Sequence, residues 1–128
     1  MSVRGHCLCG AVSFAFEGDA IWCAHCHCES CRRQVSAAFA TFVAAPRERF
    51  VWTSEPPATY ASSSGVTRSF CAVCGTPMAY ENEKASPDEV HLYLASVDPR
   101  PDSIEPERHD FWSEKVGWVH LDDGLPTK

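Results

Sequence analysis

Most of the eight cysteines in this 128-residue chain are spaced as metal ligands usually are. Two outer pairs together supply four thiolates, which is a complete tetrahedral zinc shell, whereas a middle run supplies three. The outer pairs are Cys7-x-Cys9 and Cys71-x-x-Cys74, and the middle run is Cys26-x-Cys28-x-x-Cys31. Closed four-ligand sites stabilise folds, and three protein ligands with an open position are typical of catalytic zinc. The pattern therefore predicts one structural and one reactive zinc.

The outer pairs give the stronger signal. The two-residue spacing of Cys71 and Cys74 turns both sulfurs toward one point, and Gly75 permits the left-handed backbone that aims amides at sulfur. The ordinary alternative is two pairs of buried free cysteines. Because binding energy at a structural zinc site is folding energy, we expect loss of Cys71 or Cys74 to unfold the domain.

The middle run leaves the role of Cys23 open, since a fourth thiolate there would close the second site. Strand alternation places Ile21, Cys23 and His25 on one face and Trp22, Ala24 and Cys26 on the other. On that pattern Cys23 points away from the metal and belongs to the core. His25 and His27 could ligate, shuttle a proton or, as is most common for such residues, form a hydrogen bond.

The elements that must position these cysteines are mainly β-strands. Short runs of alternating, aromatic or β-branched residues predict strands at 11–16, 21–25, 39–44, 50–52, 59–61, 66–70, 77–80 and 90–97. A hairpin turn at 62–65 is indicated by its serines and Gly65. The one predicted helix, 29–35, follows the central cysteine cluster, and no linker divides residues 1–128, which we expect to form a single domain.

The composition and net charge of the chain limit the classes of function that it could have. The chain is 45% hydrophobic and 22% charged, with a formal net charge of −6. Seven thiolates and two Zn²⁺ ions would lower that charge to about −9, which disfavours nucleic acid as a partner. The Arg32-Arg33 pair is well placed for a small anionic ligand, although a solvated surface pair is the commoner case.

The rival account of eight cysteines is a secreted disulfide-bonded protein. The first residues lack the apolar stretch of a signal peptide, and no apolar run is long enough to cross a bilayer. The C-x-C and C-x-x-C pairs also suit metal coordination better than separated bridges. We therefore expect a reduced, metal-bound, cytoplasmic protein without a membrane span.

Three ordered motifs carry a resemblance to a known family. They are Gly5-x-Cys7-x-Cys9-Gly10-Ala11-Val12, Cys26-His27-Cys28-x-x-Cys31-Arg32-Arg33 and Phe70-Cys71-x-x-Cys74-Gly75-Thr76-Pro77. This arrangement resembles the glutathione-dependent formaldehyde-activating enzyme family, which includes centromere protein V-like proteins. The resemblance continues to the tail motifs His109-x-x-Trp112, Trp118 and 122–126. Cys23 lies outside the family's usual ligands, and Ser36 stands where relatives commonly carry glycine.

The resemblance implies a mainly antiparallel zinc-stapled β fold of the β-tent type with one short helix. It implies structural zinc on Cys7, Cys9, Cys71 and Cys74, and reactive zinc on Cys26, Cys28 and Cys31. The implied activity is of the carbon–sulfur lyase type: addition of a thiol such as glutathione to formaldehyde, giving S-hydroxymethylglutathione. Arg32, Arg33 and Arg68 are then candidates to pair with glutathione carboxylates, and His109 and Trp112 are candidates to line the pocket.

Two other functions stay open on the sequence. The first is a non-catalytic, zinc-stabilised binding module with two structural metal sites. The second is cleavage of another thiol adduct at the same reactive site. The residues do not identify the natural thiol or aldehyde, or the oligomeric state.

Overall fold

A computed structural model describes all of residues 1–128, which form ten strands and one α-helix. The strands are β1 (Ser2–His6), β2 (Ser13–Glu17), β3 (Trp22–Cys26), β4 (Ala40–Pro46), β5 (Phe50–Trp52), β6 (Ala58–Ser63), β7 (Val66–Phe70), β8 (Pro77–Asn82), β9 (Glu89–Tyr93) and β10 (His109–Asp110). The helix, α1, spans Glu29–Val35. Short 3-10 helices cover Arg47–Arg49, Leu94–Ser96 and Trp112–Glu114. The predicted mainly β fold with one short helix is confirmed.

The strands form two sheets. The smaller sheet has the order β1-β2-β5, and the larger has the order β10-β3-β4-β9-β8-β7-β6. Every strand pairing is antiparallel except that of β10, which runs parallel to β3 at the sheet edge. The expected antiparallel architecture therefore carries one parallel edge strand, which is only two residues long and has no alternation to reveal it.

The main core lies between the two sheets. Phe14 and Phe16 of β2 pack against Val43 of β4 and Leu92 of β9, and all four are almost fully buried. The alternation seen in the sequence of β2 is thus the alternation of its buried face. β1 was not predicted, because Gly5 interrupts its apolar pattern.

Gly5 is required by close packing rather than by a special backbone angle. A Cβ atom at this position would overlap the ring of Phe14 and the carbonyl of Ser96. Gly65, by contrast, has φ +79° and closes the β6–β7 hairpin at the predicted turn.

The opposite face of the larger sheet carries a second, smaller cluster. It contains Cys26 and Cys31 together with Phe42 and Tyr93, with Trp22 and Tyr80 packed against it. The helix α1 begins directly beyond the end of β3, so the middle cysteine run lies over this face. The only α-helix has seven residues, and no helix of the protein is long and apolar enough to cross a membrane.

Candidate metal centres

The outer cysteine pairs converge where the two sheets meet. Cys7 and Cys9 follow β1, whereas Cys71 and Cys74 follow β7, and the four sulfurs all lie within 4.8 Å of one another. The Cys7 and Cys9 sulfurs are 3.6 Å apart, and those of Cys9 and Cys71 are 3.8 Å apart. A tetrahedral zinc with 2.3 Å bonds would place its sulfurs about 3.8 Å apart, so this group fits zinc.

Backbone amides donate hydrogen bonds to these sulfurs, as the spacing of the cysteine pairs predicts. The amide of Val12 donates to Cys7 Sγ at 3.3 Å, and the amide of Cys74 donates to Cys71 Sγ at 3.5 Å. Gly75 has φ +81°, the left-handed conformation expected from the sequence. A hydrogen bond from the Thr76 hydroxyl, reinforced by backbone amides, lowers the pKa of Cys74 to about 5. Cys74 therefore favours the thiolate form that metals bind.

The middle run forms a separate group of three sulfurs. Cys26 ends β3, Cys28 is the N-cap of α1, and Cys31 lies in the first turn of that helix. The sulfurs of Cys26 and Cys28 are 3.5 Å apart, and the amide of Cys31 donates to Cys28 Sγ at 3.4 Å. The hydrogen bond from Cys26 lowers the pKa of Cys28, so one thiolate is favoured before any metal binds. All three donors lie within 4.8 Å, which suits a three-thiolate metal site.

Cys23 does not join this group. Its side chain is 4% exposed and packs in the main core with Val43 and Val90, as strand alternation predicts. Burial raises the pKa of the Cys23 thiol to about 11, which makes it a poor nucleophile and a poor ligand. The chain therefore offers no fourth thiolate to the middle group.

Arg68 lies directly beneath Cys31. Its side chain is only 4% exposed, and both terminal nitrogens are 3.9 Å from Cys31 Sγ. Hydrogen bonds to the hydroxyls of Ser62 and Ser30, at 3.1 and 3.3 Å, fix the guanidinium, which also stacks over the ring of Tyr80. The buried guanidinium therefore faces the Cys31 sulfur and could compensate the charge of a metal-bound thiolate there. The family resemblance had instead made Arg68 a candidate to pair with a glutathione carboxylate.

A cavity of about 720 Å³ opens onto the middle cysteines. Five aromatic rings contribute to its walls, four from neighbouring strands and one from the segment after β10. The rings are those of Trp22, Phe42, Tyr80, His91 and Phe111. Three carboxylates, from Glu29, Asp110 and Glu114, complete the lining on the side of α1. A ligand in this cavity would lie against the three sulfurs, so the group is accessible as a catalytic centre requires.

Strand register builds the aromatic wall. Tyr80 of β8 lies opposite His91 of β9, and their rings stack with centroids 5.6 Å apart. Trp22 meets the edge of His91 at 4.6 Å. His91 is largely buried and hydrogen-bonds Glu89 at 2.8 Å, and burial lowers its pKa, which favours the neutral imidazole near pH 7.

The four residues suggested from the sequence as pocket candidates lie elsewhere. Arg32 donates to the carbonyl of His27 at 3.0 Å, and the exposed Arg33 pairs with Glu29 at 3.3 Å. His109 is 1% exposed, and Trp112 packs against its ring at 4.8 Å. None of the four lines the cavity. Their sequence neighbours Asp110, Phe111 and Glu114 do.

His109 belongs to a buried network behind the metal group. It hydrogen-bonds His27 and Asp123, each at 2.8 Å, and thereby connects the C-terminal tail to the segment between β3 and α1. His25 stacks on His109 at 4.8 Å and binds the Thr41 hydroxyl at 2.7 Å. Ring nitrogens of His25 and His109 and a carboxylate oxygen of Asp123 lie within 4.8 Å of one another, close enough to hold a metal ion. Each of these side chains already has a hydrogen-bond partner, so hydrogen bonding accounts for the cluster without an ion.

Phe111 is an unusual residue at the cavity mouth. It adopts the left-handed conformation, with φ 55° and ψ 42°, although its side chain is bulky and 56% exposed. The peptide group that follows Phe111 is held at both of its polar atoms: the Trp112 amide donates to the Lys128 carbonyl, and the Phe111 carbonyl accepts from the Glu114 amide. Such conformations in non-glycine residues cluster at functional sites, which supports a role for this ring in ligand contact.

A family model described as "Glutathione-dependent formaldehyde-activating enzyme" matches residues 2–114. The chain belongs to this family. A Schizosaccharomyces pombe protein described as an uncharacterized lyase is 39% identical over 85 residues, or 63% of this chain. That match spans 60% of the relative's own length. A Rhodobacter sphaeroides protein of known crystal structure is 24% identical with a TM-score of 0.60 over 78% of this chain and 92% of its own, which supports the fold alone.

Several site residues were not singled out from the sequence. Trp22 had a usable signal, because strand alternation places it on the same face as Cys26. Tyr80 and His91 lacked one, since only the pairing of β8 with β9 brings them beside the cysteines. The left-handed conformation of Phe111 has no signature in its residue type.

Proposed function

We propose that this chain is a zinc-dependent enzyme of the carbon–sulfur lyase type that adds a small thiol, such as glutathione, to formaldehyde or a related aldehyde. The observation that most directly supports this proposal is a group of three cysteines, without a fourth, at the wall of a cavity large enough for a small thiol adduct. Family membership and the lyase description of the Schizosaccharomyces pombe relative support an enzymatic role.

Two sites would hold zinc under this proposal. Cys7, Cys9, Cys71 and Cys74 would bind a structural ion that joins the two sheets, and this favours treating residues 1–128 as one domain. Cys26, Cys28 and Cys31 would bind the second ion. Because three thiolate ligands leave zinc a weak Lewis acid, the chemistry it would supply there is to hold an incoming thiol as its thiolate. Seven reduced cysteines fit a cytoplasmic location.

The proposed reaction needs no oxidant or reductant. The thiol sulfur attacks the aldehyde carbon, so a carbon–sulfur bond forms as the carbon–oxygen π bond breaks. The thiol proton leaves to solvent, and a solvent proton ends on the oxygen. The cavity wall orients both reactants beside the sulfurs, and Arg68 supplies a fixed positive charge beneath Cys31.

The alternative of two closed structural sites has less support. A closed second site needs a fourth protein ligand, and the residue suggested for that position, Cys23, lies in the main core. The aromatic cavity over the three sulfurs would also have no role in a purely structural centre.

Exchange spectroscopy tests the proposed activity. Carbon-13 formaldehyde mixed with a panel of neutral, cationic and anionic thiols should exchange with each adduct, and the protein should accelerate that exchange for at least one thiol. Cys28→Ser should abolish the acceleration, whereas the matched variant Cys23→Ser should retain it. A rate equal to the spontaneous one for every thiol tested would refute the activity.

A further inference from the structure

The cavity beside the middle cysteines has a strongly one-sided charge. Three carboxylates line it, those of Glu29, Asp110 and Glu114, and no lysine or arginine does. Zinc on three thiolates would add a further net charge of −1 to the same wall. The lining therefore carries carboxylates and no cation, and bound zinc would make it more negative still.

The arginines nearest to this lining are already engaged. Arg33 pairs with Glu29 at 3.3 Å, and Arg108 pairs with Asp110 at 2.8 Å. Arg108 also lies over the Trp22 ring, 5.0 Å from its centroid. These pairs reduce the negative charge of the lining. The Arg33 pair is exposed and uses only Nε, but neither Arg33 nor Arg108 lines the cavity, so a bound carboxylate would have no arginine in the wall around it.

The remaining nearby cations point elsewhere. Arg68 lies beneath Cys31 and is almost fully buried, and Arg32 donates to the His27 carbonyl. The Lys84 ammonium donates to the hydroxyl of Ser64 at 2.8 Å, away from the neighbouring cavity residues Ala85 and Ser86. His91, the one titratable nitrogen base in the lining, is paired with Glu89.

Carboxylate groups are normally recognised by arginine forks or lysines. Glutathione carries two carboxylates and one ammonium, so its body has a net negative charge that this lining would repel. A neutral body can instead pack against the aromatic wall, and an ammonium gains from both the carboxylates and exposed rings such as that of Phe111.

We propose that the thiol used by this chain is a small thiol without net negative charge, either neutral or a cationic aminothiol, and that Glu29 and Glu114 help to impose this preference. The inference rests on the proposed function, because it names the substrate class of the same site. It narrows the thiols of the proposed function and departs from the glutathione of the family description, whose net negative charge this lining would repel.

Kinetic discrimination tests the inference. Protein-accelerated exchange with formaldehyde is measured for cysteamine, 2-mercaptoethanol, thioglycolate and glutathione, each relative to its own spontaneous rate. We expect kcat/KM for the first two to exceed that for the two anionic thiols by about tenfold at low salt, with a smaller gap at high salt. Equal or faster exchange with glutathione would overturn the inference while leaving the proposed activity intact.

A charge-matched pair of variants assigns the effect to the cavity. Glu29→Gln combined with Glu114→Gln keeps the side-chain shapes and should reduce the cationic preference at least threefold. Glu48→Gln combined with Glu55→Gln removes the same charge from exposed positions outside the cavity and should leave the preference unchanged. Equal effects of both double variants would mean that net charge, and not the lining, controls selectivity.

A binding readout separates this inference from the activity. S-methylcysteamine and S-methylglutathione cannot react, so their binding is followed by the shift of the Trp22 indole N–H resonance. Tighter binding of the cationic thioether is expected whether or not any exchange is accelerated. If the protein accelerates exchange with no thiol, the proposed function fails, and this titration alone decides the charge preference. Tighter binding of S-methylglutathione than of S-methylcysteamine would refute the charge preference.

Discussion

Replacing Arg68 by methionine should weaken metal binding at the middle cysteines while sparing the outer site. The guanidinium is almost fully buried, and its terminal nitrogens are 3.9 Å from Cys31 Sγ. Without metal the thiolate is favoured on Cys28, whereas the pKa of Cys31 is raised, so most of the attraction between Arg68 and Cys31 is gained when zinc converts that thiol to a thiolate. Methionine keeps much of the side-chain volume but removes the charge.

The distance sets the expected magnitude. Two unit charges 3.9 Å apart interact by about 4 kcal/mol at an effective dielectric constant of 20. Zinc with three thiolates has a net charge of −1 shared among three sulfurs, so the share of Cys31 gives about 1.4 kcal/mol. That energy corresponds to about a tenfold loss of zinc affinity.

Competition with chelators of graded affinity measures the effect at each site. Arg68→Met should raise the Kd of the weaker zinc about tenfold, and Arg68→Lys, which keeps the charge, should recover most of the loss. Arg47→Met is the matched control, because Arg47 pairs with Glu81 at the surface and contacts none of the cysteines. Unchanged affinity in Arg68→Met, or an equal loss in Arg47→Met, would refute the charge-compensation argument.

Three further predictions follow from other parts of the structure. Cys74→Ser should lose the structural metal and unfold the chain, because structural zinc contributes about 10 kcal/mol, comparable with a whole domain's stability; an unchanged melt and zinc content would be incompatible with the outer site. Ser36→Gly should raise the free energy of unfolding by about 0.5–1 kcal/mol in denaturant titrations, since Ser36 caps α1 with φ 52°, and Ala37→Gly should give no such gain. Cys23 should resist iodoacetamide at pH 8 in the folded protein, because burial raises its pKa to about 11 and the reactive thiolate is scarce well below that pH; modification as fast as in the unfolded chain would contradict its place in the core.

The sequence predicts the parts of this fold that depend on local pattern. The helix at 29–35 was predicted with the bounds that the structure shows, since it begins at the cysteine run, and β5 and β7 also have the predicted limits. Alternation alone placed Cys23 in the core and left Cys26 on the other face. The spacing of the outer pairs likewise predicted a four-sulfur group that the structure brings together.

Features that depend on distant pairing could not be predicted. β10 forms because His109 and Asp110 pair with β3, which is far away in the sequence. β1 was missed because Gly5, which close packing requires, interrupts the apolar pattern of that strand. The cavity wall required the order of β3, β4, β9 and β8, which no local pattern specifies. For the same reason Arg68, an ordinary residue in the sequence, proves to be buried beneath Cys31.

The central claim is that the chain holds one open, reactive zinc site and one closed, structural zinc site. Measuring zinc content together with activity tests this claim most directly. Native mass spectrometry, thermal melting and formaldehyde exchange are measured on one sample before and after a mild chelator. We predict two zinc ions per chain. The chelator should remove one of them and abolish the accelerated exchange while the fold persists, and added zinc should restore the exchange. Two equally retained ions, or exchange that survives loss of the weaker one, would contradict the account.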